Sequence, residues 1–388
     1  MSSVKAASSA DVVVVGGGVI GLSVAYELLK SGLSVTVLDR GPEPGAASWA
    51  GAGILSTPAA HPDETDPVAC LSDLGARTHA TWAIELKEQT GLDTGYRRTG
   101  GLDLALDSEM LAVLEHSSRY WNQVGIAHEW VEPAKITQRE PALEVPTLGA
   151  VSLPDRAQLR NPWHLRALRA ACAKLGGQVL QGEEVVAIER SGDRIDAVAT
   201  AATRYPAAEV VLAAGTWTGS LGRLCNLAFE TTPVLGQIVL LRTRRGLVRH
   251  IVEAGIRYLV PREDGLVLVG STEENRGFDA TTTADGVQSL IAFATRLCPR
   301  LAEASLVTAW AGLRPGSRDG RPILGRAENW RNLTMATGHF RSGVQLSPAT
   351  ALVISDLIQG RAPRIAIDAL RPGEARSVSK PGHQPFRS

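Results

Sequence analysis

Two apolar rhythms alternate along the first forty residues. Val12, Val13, Val14 and Val15 form a continuous β-branched run, the composition of a strand buried on both faces of a parallel sheet. Over residues 22–30 the spacing becomes helical, with Leu22, Ala25, Leu28 and Leu29 on one face. Gly32 closes this helix, and residues 33–38 predict a second strand. The pattern then changes. Residues 71–89 and 108–124 predict amphipathic helices, and residues 101–106 a strand. Asn161-Pro162 predicts a helix start, with Asn as N-cap and Pro in the first helical position, and Gly176-Gly177 end that helix. Residues 178–188, 194–198 and 209–214 predict strands, the last leading into the turn Ala214-Gly215-Thr216-Trp217. Residues 238–241, 258–261 and 266–270 predict antiparallel strands, with Asp264-Gly265 turning between the last two. Residues 349–358 predict the closing helix.

This order predicts an α/β chain. A discontinuous Rossmann-like domain is expected from residues 1–60, 148–230 and 305–372. A second domain built on an antiparallel sheet is expected from residues 61–147 and 231–304. The tail 373–388, rich in Pro, Gly, Ser and Arg, is expected to be disordered.

Composition narrows the partners. The 388 residues carry a formal net charge of zero with no block of like charges, which argues against nucleic acid. Cys70, Cys172, Cys225 and Cys298 are far apart and form no C-x-x-C pair, so free thiols in a reducing compartment are expected, with no metal site. No stretch approaches the roughly 20 apolar residues of a membrane helix, and no separate apolar leader precedes the first strand. A soluble, cytoplasmic protein is expected.

The chemistry begins at Gly16-Gly17-Gly18-Val19-Ile20-Gly21, which satisfies G-x-G-x-x-G between strand and helix. Gly16 permits the tight turn, Gly18 lets a pyrophosphate approach the backbone, and Gly21 lets helix and strand pack closely. The helix N-terminus offers free N–H groups to phosphate. Asp39, eighteen residues beyond Gly21, suits a ribose 2′-hydroxyl and disfavours a 2′-phosphate, although Arg40 follows it. Residues 45–55 carry almost only small side chains, which suits either a flexible loop or backbone laid against a flat ligand.

Six segments carry a family resemblance: V-V-V-V-G-G-G-V-I-G at Val12, A-S-W-A-G-A-G-I-L at Ala47, A-A-G-T-W at Ala213, Y-L-V-P-R at Tyr258 running on to V-G-S-T-E at Val269, G-L-R-P-G-S-R-D-G-R-P-I-L-G at Gly312, and G-H-F-R-S-G-V-Q-L-S-P at Gly338. Over nearly its whole length the chain resembles the amine oxidases of the D-amino-acid oxidase fold, and among them the bacterial glycine oxidases of the thiamine pathway. The resemblance implies an FAD-binding domain of that type with an inserted antiparallel-sheet substrate domain. It implies FAD rather than NAD. It places Gly16, Gly18, Val19, Ile20, Gly21, Asp39 and Arg40 at the adenosine and pyrophosphate, with Val185 on the adenine side. It places Ser48, Ala52 and Gly53 near the flavin, and Ser342, Gly343, Val344 and Gln345 around its ring. Gly215, Trp217, Gly312 and Gly338 complete the implied cofactor contacts. Some relatives attach flavin through cysteine; no cysteine here falls in the matching segments, so non-covalent FAD is expected.

For the substrate, the resemblance gives Arg314 the α-carboxylate, for which a bidentate cation is the suitable partner. Tyr258, otherwise a half-buried strand aromatic, is implied to help. Arg341 is implied near flavin and amine, either touching substrate or gating access. Ile54 is implied as apolar wall. Glu273 is either a wall residue facing the amine or a solvated turn carboxylate. His339 lies in a matching segment without a specific role. No dedicated base is required, since desolvation and positioning can supply the neutral amine. The implied reaction is oxidative deamination of glycine, sarcosine or small D-amino acids, with O2 reduced to H2O2 and an imine or glyoxylate formed. A homo-oligomer, up to a tetramer, is the family pattern. A dehydrogenase passing electrons to a partner or quinone, a flavin-dependent tRNA-modifying enzyme and a non-catalytic flavin protein stay open at this point.

Overall fold

The computed structural model describes residues 5–41, 45–227 and 229–373. Its first layer is a parallel sheet. Five strands run in the order Gln178–Gln181, Val35–Asp39, Ala10–Val15, Thr203–Leu212 and Leu333–Thr337, every neighbouring pair parallel. Val12, Val13 and Val14 are wholly buried, as a two-faced core strand requires. Helices Val19–Lys30, Asn161–Lys174 and Gly343–Ile358 cover one face of this sheet. The order reverses between Ala10–Val15 and Thr203–Leu212. The crevice at the carboxyl ends there is the usual ligand site of such sheets.

The second layer is a mostly antiparallel sheet. Its order is Gly45–Ala46, Ser305–Ser317, Thr231–Arg242, Leu266–Gly270, Arg257–Pro261, Ile251–Ala254, Gly101–Ala105, Gly149–Leu153 and Glu129–Val131. Strand alternation divides its side chains. Val239, Leu241, Val252, Leu259, Val267 and Val269 pack against helix Ala284–Leu297. Ile238, Tyr258, Val260, Leu268 and Trp310 face the other way, with Ile54 and Ala52.

Three elements lie across the division expected from sequence. Strands Gly149–Leu153 and Ser305–Ser317 hydrogen-bond into the antiparallel sheet, opposite Gly101–Ala105 and Thr231–Arg242. Helix Pro67–Thr90 packs with the parallel-sheet core instead. Val68, Leu71, Trp82 and Leu86 form its buried stripe, and Trp82 meets Tyr26 edge-on at 5.1 Å. Gly75 permits the approach, since a Cβ there would fall 2.2 Å from the Gln345 carbonyl oxygen. The predicted strand 178–188 is also two strands, Gln178–Gln181 and Ala187–Ser191, in different pairings. Asn161 is not the N-cap: Arg160 holds that position, and the Asn161 amide donates to the Ser48 carbonyl at 2.7 Å. Apart from Gly373, the predicted disordered tail 373–388 lies outside the described residues.

Candidate functional site

One cavity of about 1340 Å³ runs from the glycine loop to the antiparallel sheet. The carboxyl ends of the parallel strands form one end of it. Gly16, Gly17, Gly18, Val19, Ile20, Asp39, Arg40, Gln181, Val185, Ala213, Gly215 and Trp217 line that end. The loop is fitted tightly beneath. Gly16 has φ +112°, and a Cβ there would lie 2.4 Å from the Ala213 carbonyl oxygen. A Cβ on Gly21 would lie 1.9 Å from the Gly16 carbonyl oxygen, so Gly21 serves helix packing and does not itself line the cavity. The Asp39 carboxylate accepts hydrogen bonds from the Gly17 and Gly41 N–H groups, at 2.6 and 2.9 Å. Arg40 stacks over the Trp217 ring, 3.6 Å from its centre.

The segment Gly45–Leu55 joins the two sheets and walls the middle of the cavity. Gly45–Ala46 pairs with Gly312–Leu313. The Ser48 hydroxyl accepts from the Val19 N–H at 2.9 Å. The Ala50 carbonyl accepts from the Trp310 indole at 2.9 Å, and the Ala52 carbonyl from the buried Arg262 at 2.8 Å. Gly53, at φ +73°, lies so close to Leu159 that a Cβ would fall 2.1 Å from its carbonyl oxygen. Gly312 leaves room for Ala50, whose Cβ would lie 2.6 Å from one placed there. Ser342, Gly343, Val344 and Gln345 line the facing wall at the start of the last long helix. The Gln345 amide is already engaged, donating to the Ser72 carbonyl at 2.7 Å and accepting from the Ser56 N–H at 3.0 Å.

At the far end Arg314, Tyr258, Arg341 and Ile54 line the cavity together. Arg314 donates to the Ser271 hydroxyl at 2.7 Å and to the Leu235 and Thr272 carbonyls, both at 3.3 Å. Among the described residues no carboxylate lies within ion-pairing distance of it. Burial works against its charge and holds its pKa below the ordinary arginine value. Tyr258 crosses the adjacent strand at Gly270, where a Cβ would fall 2.4 Å from its hydroxyl. Burial raises the phenol pKa, opposed by the nearby Arg314. Arg341 forms an ion pair with Glu273.

Besides Gly21, two sequence-implied residues stand outside the cavity lining. Glu273 reaches it only through Arg341. Gly338, at φ +72°, turns the chain against Ile323 and Ser317. His339 lines the cavity, with its ring hydrogen-bonded to the Thr350 hydroxyl at 3.0 Å, and burial pushes its pKa down to about 3. It is therefore neutral at physiological pH. Sequence reasoning missed Glu253, Ser271 and Trp310, which also line the cavity. Glu253 and Trp310 sit on strands, and Ser271 just past the end of one, so which way each faces depends on distant strand pairing. No group of three or more His, Cys, Asp or Glu suited to a metal occurs among the described residues. No cysteine lines the cavity among those residues, so no thiol is placed to attach a cofactor. No helix among them is long and apolar enough to cross a membrane.

A dinucleotide loop and an arginine with no carboxylate partner among the described residues open on one cavity, the arrangement of a dinucleotide-dependent enzyme. The chain belongs to the DAO family, described as FAD dependent oxidoreductase, which it matches over residues 11–357. It is 38% identical to a glycine oxidase of Pseudomonas aeruginosa over 365 residues, 92% of this chain and 97% of that protein. It is 33% identical to a bifunctional protein ThiO/ThiG of Synechocystis, covering 96% of this chain and 55% of that protein. The crystal structure of a glycine oxidase from Geobacillus kaustophilus superposes with a TM-score of 0.89 at 31% identity, over 95% of this chain and 99% of that one.

The residues present fit FAD. The glycine loop, with no side chain between its backbone and the cavity at Gly16, Gly17 and Gly18, suits the pyrophosphate, Asp39 suits the ribose, and the small-residue wall suits a flat ring.

Proposed function

We propose that the protein is an FAD-dependent oxidase of glycine and other small amino acids. The observation that carries this reading is Arg314: a cation without a carboxylate partner among the described residues, beside Tyr258, in the cavity that the glycine loop enters. Bound there, FAD supplies a two-electron acceptor for the hydride of the substrate α-carbon. The chain's own residues do the rest. The Arg314 fork holds the α-carboxylate, and Ser271 and two carbonyls hold the fork. The Tyr258 hydroxyl donates to the same carboxylate. Ile54 and Trp310 supply apolar wall that limits the space for a side chain, which favours glycine, sarcosine and small D-amino acids. Arg341 and Glu273 form a paired rim beside the amine. Oxygen is the final acceptor, giving H2O2, and water hydrolyses the glycine imine to glyoxylate and ammonia. In thiamine synthesis the imine itself would pass on.

The parallel sheet then acts as the cofactor unit and the antiparallel sheet as the substrate unit. We take the protein to work in the cytoplasm as a homo-oligomer of up to four copies; light scattering of the purified protein tests the copy number.

The deciding experiment is the visible spectrum of the purified protein, taken without oxygen before and after adding glycine. Bleaching of a yellow protein supports the reading, and peroxide formed in air separates an oxidase from a dehydrogenase. A yellow protein that no small amino acid bleaches overturns it.

A further inference from the structure

A row of register partners crosses the antiparallel sheet: Asp103, Glu253, Tyr258, Gly270, Ile238 and Trp310, each opposite the next on the neighbouring strand. Register partners share a face, and Glu253, Tyr258, Ile238 and Trp310 all line the cavity. Glu253 thus stands one strand, about 4.8 Å, from the tyrosine of the carboxylate site.

Its other neighbours explain its state. The buried Arg156 guanidinium grips Asp103 through both terminal nitrogens but reaches Glu253 with Nη1 alone, 3.1 Å from Oε1. Gly101 makes room for Arg156; a Cβ there would fall 2.5 Å from its Cδ. Two carboxylates therefore share one cation, and the cluster holds one unbalanced negative charge against the cavity. Among the described residues, Arg156 supplies the one hydrogen bond to the Glu253 side chain. The charged and titratable groups around Glu253 are Asp103 from the strand on one side, Tyr258 from the strand on the other, Arg156 from the turn beyond Gly149–Leu153, and Arg341 across the cavity. Burial and Asp103 push the Glu253 carboxyl up; Arg156 and Arg341 pull it back. Burial is the larger influence, so the group takes up a proton more readily than an ordinary glutamate.

We propose that Glu253 accepts the proton of the substrate ammonium group. This rests on the reading of the site as an amino-acid oxidase. With the carboxylate on Arg314 and Tyr258, an α-ammonium is drawn to the unbalanced charge at Glu253. One N–H bond of the ammonium breaks, one O–H bond forms on Glu253, and the nitrogen keeps the electron pair. That lone pair is what departure of hydride from the α-carbon requires. No electrons are exchanged in this step, and Glu253 later gives its proton to water.

The test is the variant Glu253→Gln, compared with wild type for glycine kcat/KM from pH 5 to 10 and for acetate binding read from the flavin spectrum. Acetate has the carboxylate and no amine. The expected result is a fall of tenfold or more in kcat/KM near neutral pH, loss of the acid limb of the profile, and acetate binding within about twofold of wild type. An unchanged acid limb, or an equal loss of acetate binding, overturns the proposal. If that variant does not fold, Asp103→Asn serves: removing the neighbouring charge should move the acid limb to lower pH, and an unmoved limb counts against Glu253. Failure of the oxidase reading itself looks different, since wild-type flavin would then stay oxidised with glycine at every pH.

Discussion

The guanidinium of Arg314 lies across Gly236 on the neighbouring strand, so close that a Cβ at Gly236 would fall 2.2 Å from its Nη2. The strand position is therefore a hole cut for the arginine. Gly236→Ala should displace the fork from Ser271 while leaving the glycine loop untouched. The expected outcome is a rise in KM for glycine of tenfold or more, with flavin content as in wild type. Steady-state kinetics beside the flavin-to-protein absorbance ratio check it; an unchanged KM would show that Arg314 is not held where substrate binds.

Truncating the arginine itself is the harsher change. Arg314→Ala should cost about 2–5 kcal/mol of substrate interaction, as expected for breaking a buried charge pair, with each ~1.4 kcal/mol worth tenfold. Arg314→Lys should also be poor, because an ammonium cannot reproduce the planar fork. Wild-type kcat/KM in either variant would sink the assignment.

Asp39 tests the opposite end of the cavity. Its carboxylate already accepts two backbone N–H groups and keeps further lone pairs for a ribose. Asp39→Ala should weaken FAD binding by about 1.5–3 kcal/mol, the range for a hydrogen bond to a charged group. Titration of apoprotein with FAD, followed by quenching of flavin fluorescence, measures this; an unaltered Kd would remove Asp39 from the cofactor site.

Buried histidines set the acid side of stability. His79 donates to the Val344 carbonyl at 2.8 Å, and His164 packs beside it with neither ring nitrogen partnered among the described residues. Burial lowers both, His79 to about 4 and His164 well below the ordinary 6.5. The unfolded chain therefore takes up these protons first. Stability is full above about pH 6.5 and lost as pH falls through the native values. His164→Leu, which removes one such group, should match wild type at pH 7.5 and exceed it by roughly 2 kcal/mol at pH 5. Urea midpoints at the two pH values decide it; parallel curves for both proteins would refute the account.

What the sequence shows unaided is what is local. Residues 10–39 form strand, loop, helix and strand within thirty positions, and every signal in them is a neighbour effect. Arg314 and Tyr258 look like ordinary strand residues until the resemblance singles them out. Glu253 has no such help. In the run Ile251-Val252-Glu253-Ala254 nothing local marks the carboxylate as a site residue, and the cavity opposite it is created by strands and segments far away in sequence. Ser305–Ser317 was similarly hidden, because its ladder partner lies some seventy residues upstream and pairing at that range leaves no periodic trace. The Asn161 side chain shows a subtler limit: a good capping signal was present, but the amide had a better use at the Ser48 carbonyl.

Segment Gly45–Leu55 has small side chains and so buries little apolar surface of its own. Its order is borrowed from Val19 and Asn161 on the parallel-sheet side and from Arg262, Trp310 and the strand at Gly312 on the antiparallel side. A ligand bound only by the native state adds stability that grows with its concentration, and here that gain falls on the seam between the two sheets. Flavin supply in the cell would then govern how long each molecule lasts as well as how fast it works. Chains starved of FAD would part first along this seam and be cleared by proteases, leaving a population sorted toward the loaded enzyme.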